Sequence, residues 1–291
     1  MHSIIVILAM LPVMAFPIPS AQNDSGELAV VLDRAGQYVT RYLDDELGNV
    51  GAAETYRQVS VTFSPNKIRN EEERRIESDF LIYRQGDKRV GLRIVRRVDR
   101  AAVPIGEVTF KVLQDNSPEG IEKGITALVQ QSARYNIGGV LRTFNLPTHA
   151  LNVARKAELH YFDFEKRGVE RIDGVQTWEV AFKERRDRPA PTLVRGNSGE
   201  SLFSEGSLWI DPVTGRILKT DFKVENPYSK PKAKGRVTVT YTENKTLRMF
   251  LPRQMMERYA TEDGFIEGRA DYTNFWFFAV DVKSEIASPK P

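Results

Sequence analysis

Apolar and polar residues alternate with a period of two over much of this chain. In residues 217–225, Leu218, Thr220, Phe222 and Val224 fall on one face, and Lys219, Asp221, Lys223 and Glu225 on the other. Just upstream, Leu208 and Ile210 alternate with Ser207 and Asp211. The intervening Asp211-Pro212-Val213-Thr214-Gly215 has the chemistry of a tight turn. Pro212 pre-sets φ, Asp211 can bond its own backbone, and Gly215 accepts φ > 0. A buried face and a wet face on consecutive strands predict an antiparallel sheet.

The same pattern returns at 158–166, 175–183, 236–243, 250–259 and 265–282. Trp178, Val180 and Phe182 share a face, as do Val237, Val239 and Tyr241. Glu262-Asp263-Gly264 predicts a hairpin with Asp-Gly as its two turn residues. In the first half, Val59, Val61 and Phe63 alternate with Ser60 and Thr62. Residues 71–75 are a mixed charge run, expected in a solvated loop or at a strand end. Residues 76–83 are apolar on both faces, which predicts cover on both. Residues 89–98 alternate with Arg93, Arg96 and Arg97 interleaved, a pattern that places those arginines on a solvated face.

Two stretches change to the helical period. Leu28, Val31, Leu32, Ala35, Val39, Tyr42 and Leu43 form one stripe, between a capping box at Asp24-Ser25-Gly26-Glu27 and a stop at Gly48-Asn49. Its polar face carries Asp33, Asp44, Asp45 and Glu46, which disfavours a membrane-surface helix. Ile121, Ile125, Leu128 and Val129 form the second stripe, after Ser117-Pro118 and before Gly138-Gly139. A shorter helix is predicted near Pro147, with Leu151 and Ala154 inward. The expected fold class is α+β: a strongly curved antiparallel sheet with helices at 27–47 and 118–136 packed on its concave side. Its candidate apolar concave face consists of Trp178, Val180, Phe182, Leu218, Phe222, Val237, Val239 and Tyr241.

Composition narrows the setting. The 291 residues are 41% hydrophobic and 28% charged, ordinary values for a globular chain able to bury a sizeable core. The polar loops at 185–201 and 226–234 are too short for domain linkers, so residues 22–291 are expected to form a single domain. A net charge of +3, with no aromatic stacking set among the arginines, excludes a nucleic-acid partner. Cysteine is absent, which excludes disulfides, thiol nucleophiles and a lipid-modified cysteine. Residues 1–21 carry no Lys, Arg, Asp or Glu and contain an apolar run at 4–11. Small residues suited to cleavage follow, at Ala15 and Ala21, so the segment reads as a secretory signal peptide and the protein as periplasmic or secreted. No later segment has the ~20 apolar residues of a stable span.

Candidate chemistry is sparse. The histidines His2, His149 and His160 lack ligand spacing, so no metal is expected. There is no P-loop, no GxGxxG and no GxSxG elbow, and Gly196-Asn197-Ser198-Gly199 lacks the setting of one. No catalytic residue and no cofactor is assigned, and the chain is read as non-enzymatic. The aromatic residues Tyr272, Phe275, Trp276, Phe277 and Phe278 crowd the last strand, as core or as the lining of an apolar ligand site.

The segment Gly206-Ser207-Leu208-Trp209-Ile210-Asp211-Pro212-Val213-Thr214-Gly215-Arg216, preceded by Asp173-Gly174-Val175 and Trp178-Glu179-Val180, resembles the WIDPxTG hairpin of periplasmic lipoprotein-carrier (LolA/LolB-like) proteins. The whole mature chain also resembles a group of uncharacterised secreted bacterial proteins, through Ala53-Glu54-Thr55-Tyr56, Arg188-Pro189, Pro191-Thr192-Leu193-Val194-Arg195, the same hairpin and Ile266-Glu267-Gly268-Arg269-Ala270 with Tyr272-Thr273-Asn274-Phe275. The first resemblance implies an unclosed barrel whose plugged concavity holds acyl chains. The leading expectation is therefore a carrier or binding module for an apolar ligand, a lipid or a lipoprotein's acyl chain. The alternative is a cell-envelope module for protein interaction or sensing, with the same fold and no transported ligand.

Overall fold

The computed structural model describes residues 21–64, 66, 69–85, 88–104, 118–137, 146–188, 193–194, 202–226 and 233–278. Residues 1–20, the Gly138-Gly139 stop and most of the 185–201 loop, all assigned from sequence, lie outside these.

Helix α1 spans Ala21–Arg41 and runs into a π-helical turn at Tyr42–Glu46. Asp24 and Glu27 thus lie inside the helix rather than capping it. Strands β1 (Val50–Phe63), β2 (Arg69–Gln85), β3 (Lys88–Val98) and β4 (Ala101–Ala102) follow. Next come helix α2 (Pro118–Ala133) and 3-10 turns at His149–Ala154 and Leu159–Tyr161. The chain then makes β5 (Phe162–Ile172), β6 (Val175–Glu184), β7 (Ser204–Ile210), β8 (Ile217–Asn226), β9 (Ala233–Asn244), β10 (Met249–Ala260) and β11 (Gly264–Phe277).

All eleven strands join one sheet in the order β4-β3-β2-β1-β11-β10-β9-β8-β7-β6-β5. Among the described residues every pairing is antiparallel and β4 and β5 form the two edges of the sheet, so the barrel does not close. Eleven strands at ~4.8 Å spacing would make a flat sheet nearly 50 Å wide. Yet inner residues from β3 (Val95), from the edge strand β5 (Phe162) and from α1 (Val31, Ala35, Val39) belong to one buried core. The sheet must therefore curl around α1. The 3-10 turn fills the rest of the concavity with Ala150, Leu151, Val153 and Ala154.

Helix α2 differs from the sequence expectation of a second inner lid. Its Ile125 and Leu128 pack with Leu92, beside Leu81, Tyr83, Val90 and Val129. Register sets Leu81 opposite Leu92 and Tyr83 opposite Val90. These residues alternate with the core-facing Phe80 and Ile82. Helix α2 thus covers the outer face of β2 and β3, which explains why 76–83 is apolar on both sides. The charge run 71–75 is also strand, the outer part of a long β2.

Two turns are chemically instructive. Asp173 and Gly174, with φ of 47° and 83°, form the two-residue loop between Ile172 and its partner Val175, the left-handed geometry of a type I′ turn. The β10–β11 turn is different. Thr261 N donates to Gly264 O at 3.0 Å, so Glu262 and Asp263 are central and Gly264 belongs to the strand. A Cβ on Gly264 would overlap the carbonyl of Val61, so glycine is needed there for closeness rather than for φ.

Candidate functional site

The inner face of the sheet can be followed row by row. One row runs Val180, Leu208, Thr220, Val239, Met255, Ala270, Tyr56 and Ile76 across eight strands. The next runs Phe182, Gly206, Phe222, Val237, Glu257, Gly268 and Gln58. The first row is apolar apart from Thr220 and the Tyr56 hydroxyl; the second turns polar at Glu257.

Of the residues expected on the concave face, Val180, Phe182, Phe222, Val237, Val239 and Tyr241 all lie in the core and are at most 4% exposed. Trp178 packs against that core from its rim. Phe182 and Phe222 approach with ring centroids 6.2 Å apart across Gly206. His149 meets Phe222 edge-on at 5.4 Å, and burial pulls its pKa down to about 4. Tyr241 donates its hydroxyl to Pro147 O at 2.6 Å. The face is thus sealed by α1 and the 3-10 turn.

Leu218 is the exception. Trp209 pairs with Lys219 but Ile210 pairs with Ile217, so Leu218 is the extra residue of a bulge. It is 2% exposed yet outside the core cluster, where Ile217 stands in its place. Strict alternation fails at a bulge, which the sequence does not announce. Trp209 lies on the outer face, 7% exposed, with Lys219 Nζ 3.9 Å above its ring.

The polar half of the inner face was not anticipated. Glu54, 2% exposed, takes a fork of bonds from Arg93, Nε to Oε2 at 2.8 Å and Nη2 to Oε1 at 2.9 Å. Ser78 Oγ donates to Glu54 Oε2 at 2.7 Å. Burial opposes the charge on Arg93, but Glu54 more than compensates and holds its pKa above the ordinary value. Arg93 also lies over Phe80 at 4.8 Å and Tyr56 at 5.4 Å. The second carboxylate, Glu257, accepts from Tyr56 Oη and, at 2.8 Å, from Tyr259 Oη. Burial pushes its pKa up to about 8, and the Coulomb effect of Glu54 adds to the rise. Gln58, fully buried, holds the segment after α2 through Asn136 Oδ1 and Ile137 N.

The sequence signal for this network was faint. Glu54, Tyr56 and Gln58 do alternate, but ahead of the apolar run Val59–Phe63 that marks the strand. Arg93 reads as one of three solvated arginines. A bulge between Glu77 and Ser78 breaks the phase, so Arg93 turns inward while Arg96 and Arg97 stay out.

Clefts bounded by described residues lie elsewhere. One of about 540 Å³ lies on the outer face, lined by Arg57, Lys219, Arg236, Arg258 and Arg269 among others. Another, of about 630 Å³, is lined by Lys183, Arg186, Phe203, Lys223 and again Arg236 and Arg258. Neither is lined by Val180, Phe182, Phe222, Val237 or Val239. Among the described residues no helix is long and apolar enough to cross a membrane.

No protein-family model matches the chain, and no curated protein does. Among solved structures, it is similar to a putative outer membrane lipoprotein-sorting protein domain from Vibrio parahaemolyticus. Identity is 13%, over 88% of this chain and 93% of that one, with a TM-score of 0.36. It is similar to a DUF1329 family protein from Desulfovibrio piger at 10% identity, over 90% and 95%, also with a TM-score of 0.36. The Pseudomonas aeruginosa MucA/MucB complex is matched at 11% identity over 88% and 99%, with a TM-score of 0.20. At TM-scores this low none of the three weighs on the reading of the site.

Proposed function

We propose that this protein is a non-enzymatic binding module of the cell envelope, exported by residues 1–21, that takes an apolar ligand such as a lipid or acyl chain. What supports the reading is the inner face itself. Val180, Phe182, Phe222, Val237 and Val239 form a continuous apolar lining, and an amphipathic helix closes it. The resting state is closed. A ligand enters by displacing α1, exchanging one apolar partner for another on the same surface. The buried carboxylates of Glu54 and Glu257 are engaged by Arg93, Ser78, Tyr56 and Tyr259, so neither is assigned a catalytic role.

A second reading, a protein-interaction module, is favoured by the same filled core together with the outer clefts that share Arg236 and Arg258. One experiment separates the two. A Cβ on Gly36 would lie 3.4 Å from the Cβ of Lys156, close to disulfide geometry. The G36C/K156C variant therefore tethers α1 in its closed position, in a chain with no other cysteine. Fatty acids and acyl phospholipids of increasing length should raise the melting temperature of the reduced protein by mass action and leave the oxidised protein unchanged. No stabilisation of lipid-free wild type at any chain length would reject the carrier and leave the interaction module.

A further inference from the structure

The closed inner face ends, where α1 ends, in a group of charges that an apolar ligand does not use. Asp44 lies in the π-helical turn. Its carboxylate is held by Arg155 Nη2, at 2.6 and 2.7 Å, and its backbone carbonyl by Arg84 Nη1. Arg84 N also donates to Asn49 Oδ1 at 2.9 Å. The β2–β3 register sets Arg89 directly opposite Arg84, on the same face of the sheet. Directly opposed Cβ atoms stand about 5 Å apart, a repulsive placement for two cations.

Arg89 has no answer to this arrangement among the described residues. Its Nε and Nη2 are buried and without a hydrogen-bond partner. Burial holds its pKa below the usual guanidinium value, and Arg84 and then Arg155 push the same way, against Asp44. Nearby Glu46 is already taken by Arg41 at 2.8 Å. Arg84 and Arg155 thus crowd Arg89 with positive charge, and Asp44, already held by Arg155, is the carboxylate that acts against them. Leaving a charged donor buried and unpaired is among the costlier states of a polar group. The group is still reachable, because the side chains of Arg155 and Asp44 remain 28% and 34% exposed.

We propose that Arg89, flanked by Arg84 and Arg155, forms an oxyanion site for a phosphoryl group, whether free phosphate or the headgroup of a lipid. A phosphoryl group supplies the negative charge and the acceptors that Arg89 Nε and Nη2 lack, and its several oxygens accept from guanidinium forks set at different angles. The site goes beyond the apolar-ligand reading and does not depend on it, since free phosphate needs no open inner face.

Calorimetric titration of the full chain tests it, with three probes at matched ionic strength: inorganic phosphate, dihexanoyl phosphatidic acid and dihexanoyl phosphatidylcholine. Saturable binding of phosphate, weakened about tenfold or more in Arg89→Gln and partly restored in Arg89→Lys, supports a free-anion site. Binding of the phosphatidic acid alone, with the same dependence on Arg89, supports a headgroup site. Arg89→Gln should also melt no lower than wild type, because it relieves repulsion; a purely structural arginine would melt lower on removal. Binding that is absent for every probe, or unchanged in Arg89→Gln, overturns the proposal.

Discussion

Gly215 stands against the backbone of Arg34. Its φ is +75°, and a Cβ there would overlap the Arg34 carbonyl and come within 2.8 Å of Ala35 N. Arg34 completes the contact by donating Nη1 to Pro212 O at 2.7 Å. Asp211 organises the turn itself, accepting from Val213 N and Thr214 Oγ1 through its carboxylate and from Gly215 N through its carbonyl. The β7–β8 turn is thus the seat on which α1 rests. Gly215→Val should lower stability by about 1–3 kcal/mol from strain alone, and more from the collision with α1. A Gly215→Asn variant, which tolerates φ > 0, relieves the strain but keeps the collision. Urea midpoints that follow the order glycine, asparagine, valine check both terms.

Arg93 and Glu54 form a buried pair whose separation should be costly. Arg93→Met leaves Glu54 charged and unpaired, and a loss of about 3–5 kcal/mol is expected. The double variant E54L/R93M removes both charges and should recover much of it. A double-mutant cycle by chemical denaturation measures the coupling, which vanishes if the two side chains act independently.

Acidity should act on this fold in two opposing ways. The folded pKa of Glu257 is raised from 4.5 to about 8, so its neutral form is the one the core favours. Its contribution is complete below the unfolded value and is lost as pH rises through about 8. His149 works in reverse: its folded pKa falls from 6.5 to about 4, so stability drops as pH falls through that window. Above about pH 6.5 only the glutamate term remains. Wild type should lose about 1–2 kcal/mol between there and about pH 8, and Glu257→Gln should flatten that limb. Midpoints unaffected by the substitution would place the titration elsewhere.

The bulge at β8 predicts an inversion between neighbours. Ile217 lies in the inner core and Leu218 outside it. Ile217→Ala should therefore cost the 2–5 kcal/mol of a core truncation, and should also weaken acyl-chain binding if the inner face is the ligand site. Leu218→Ala should cost stability and leave ligand binding unchanged. Thermal shifts with and without fatty acid read both quantities.

Strands, helices and the curved sheet were legible because alternation and helical stripes are long here, and one turn was readable from Asp211, Pro212 and Gly215. Three things were not. The side of the sheet on which α2 lies depends on which of two apolar faces, that of Leu81 or that of Phe80, meets the main core, and both look alike in sequence. Phase slips at Leu218 and near Arg96 follow from bulges that leave no local mark. The charged half of the interior was hidden because a lone Glu or Arg on a strand normally faces water, and its partner lies on another strand. Arg84, Arg89 and Arg155 are likewise scattered in sequence and meet only through the register of β2 and β3 and the end of α1.

The order of the strands carries a last consequence. Cyclically, the sheet is a simple meander whose β11 joins β1 near its middle, through pairs such as Thr62 with Gly264 about 200 residues apart. That seam unites the two ends of the folded chain, so neither half of the sheet is complete until the last strand has been delivered. Contacts this distant are slow to form, because loop closure must precede any gain from pairing. A chain still emerging from a ribosome or a translocation pore would have β1 exposed on its β11 side. Its folding would then be a late, all-at-once event, and truncation before Gly264 would remove the central seam rather than trim an edge.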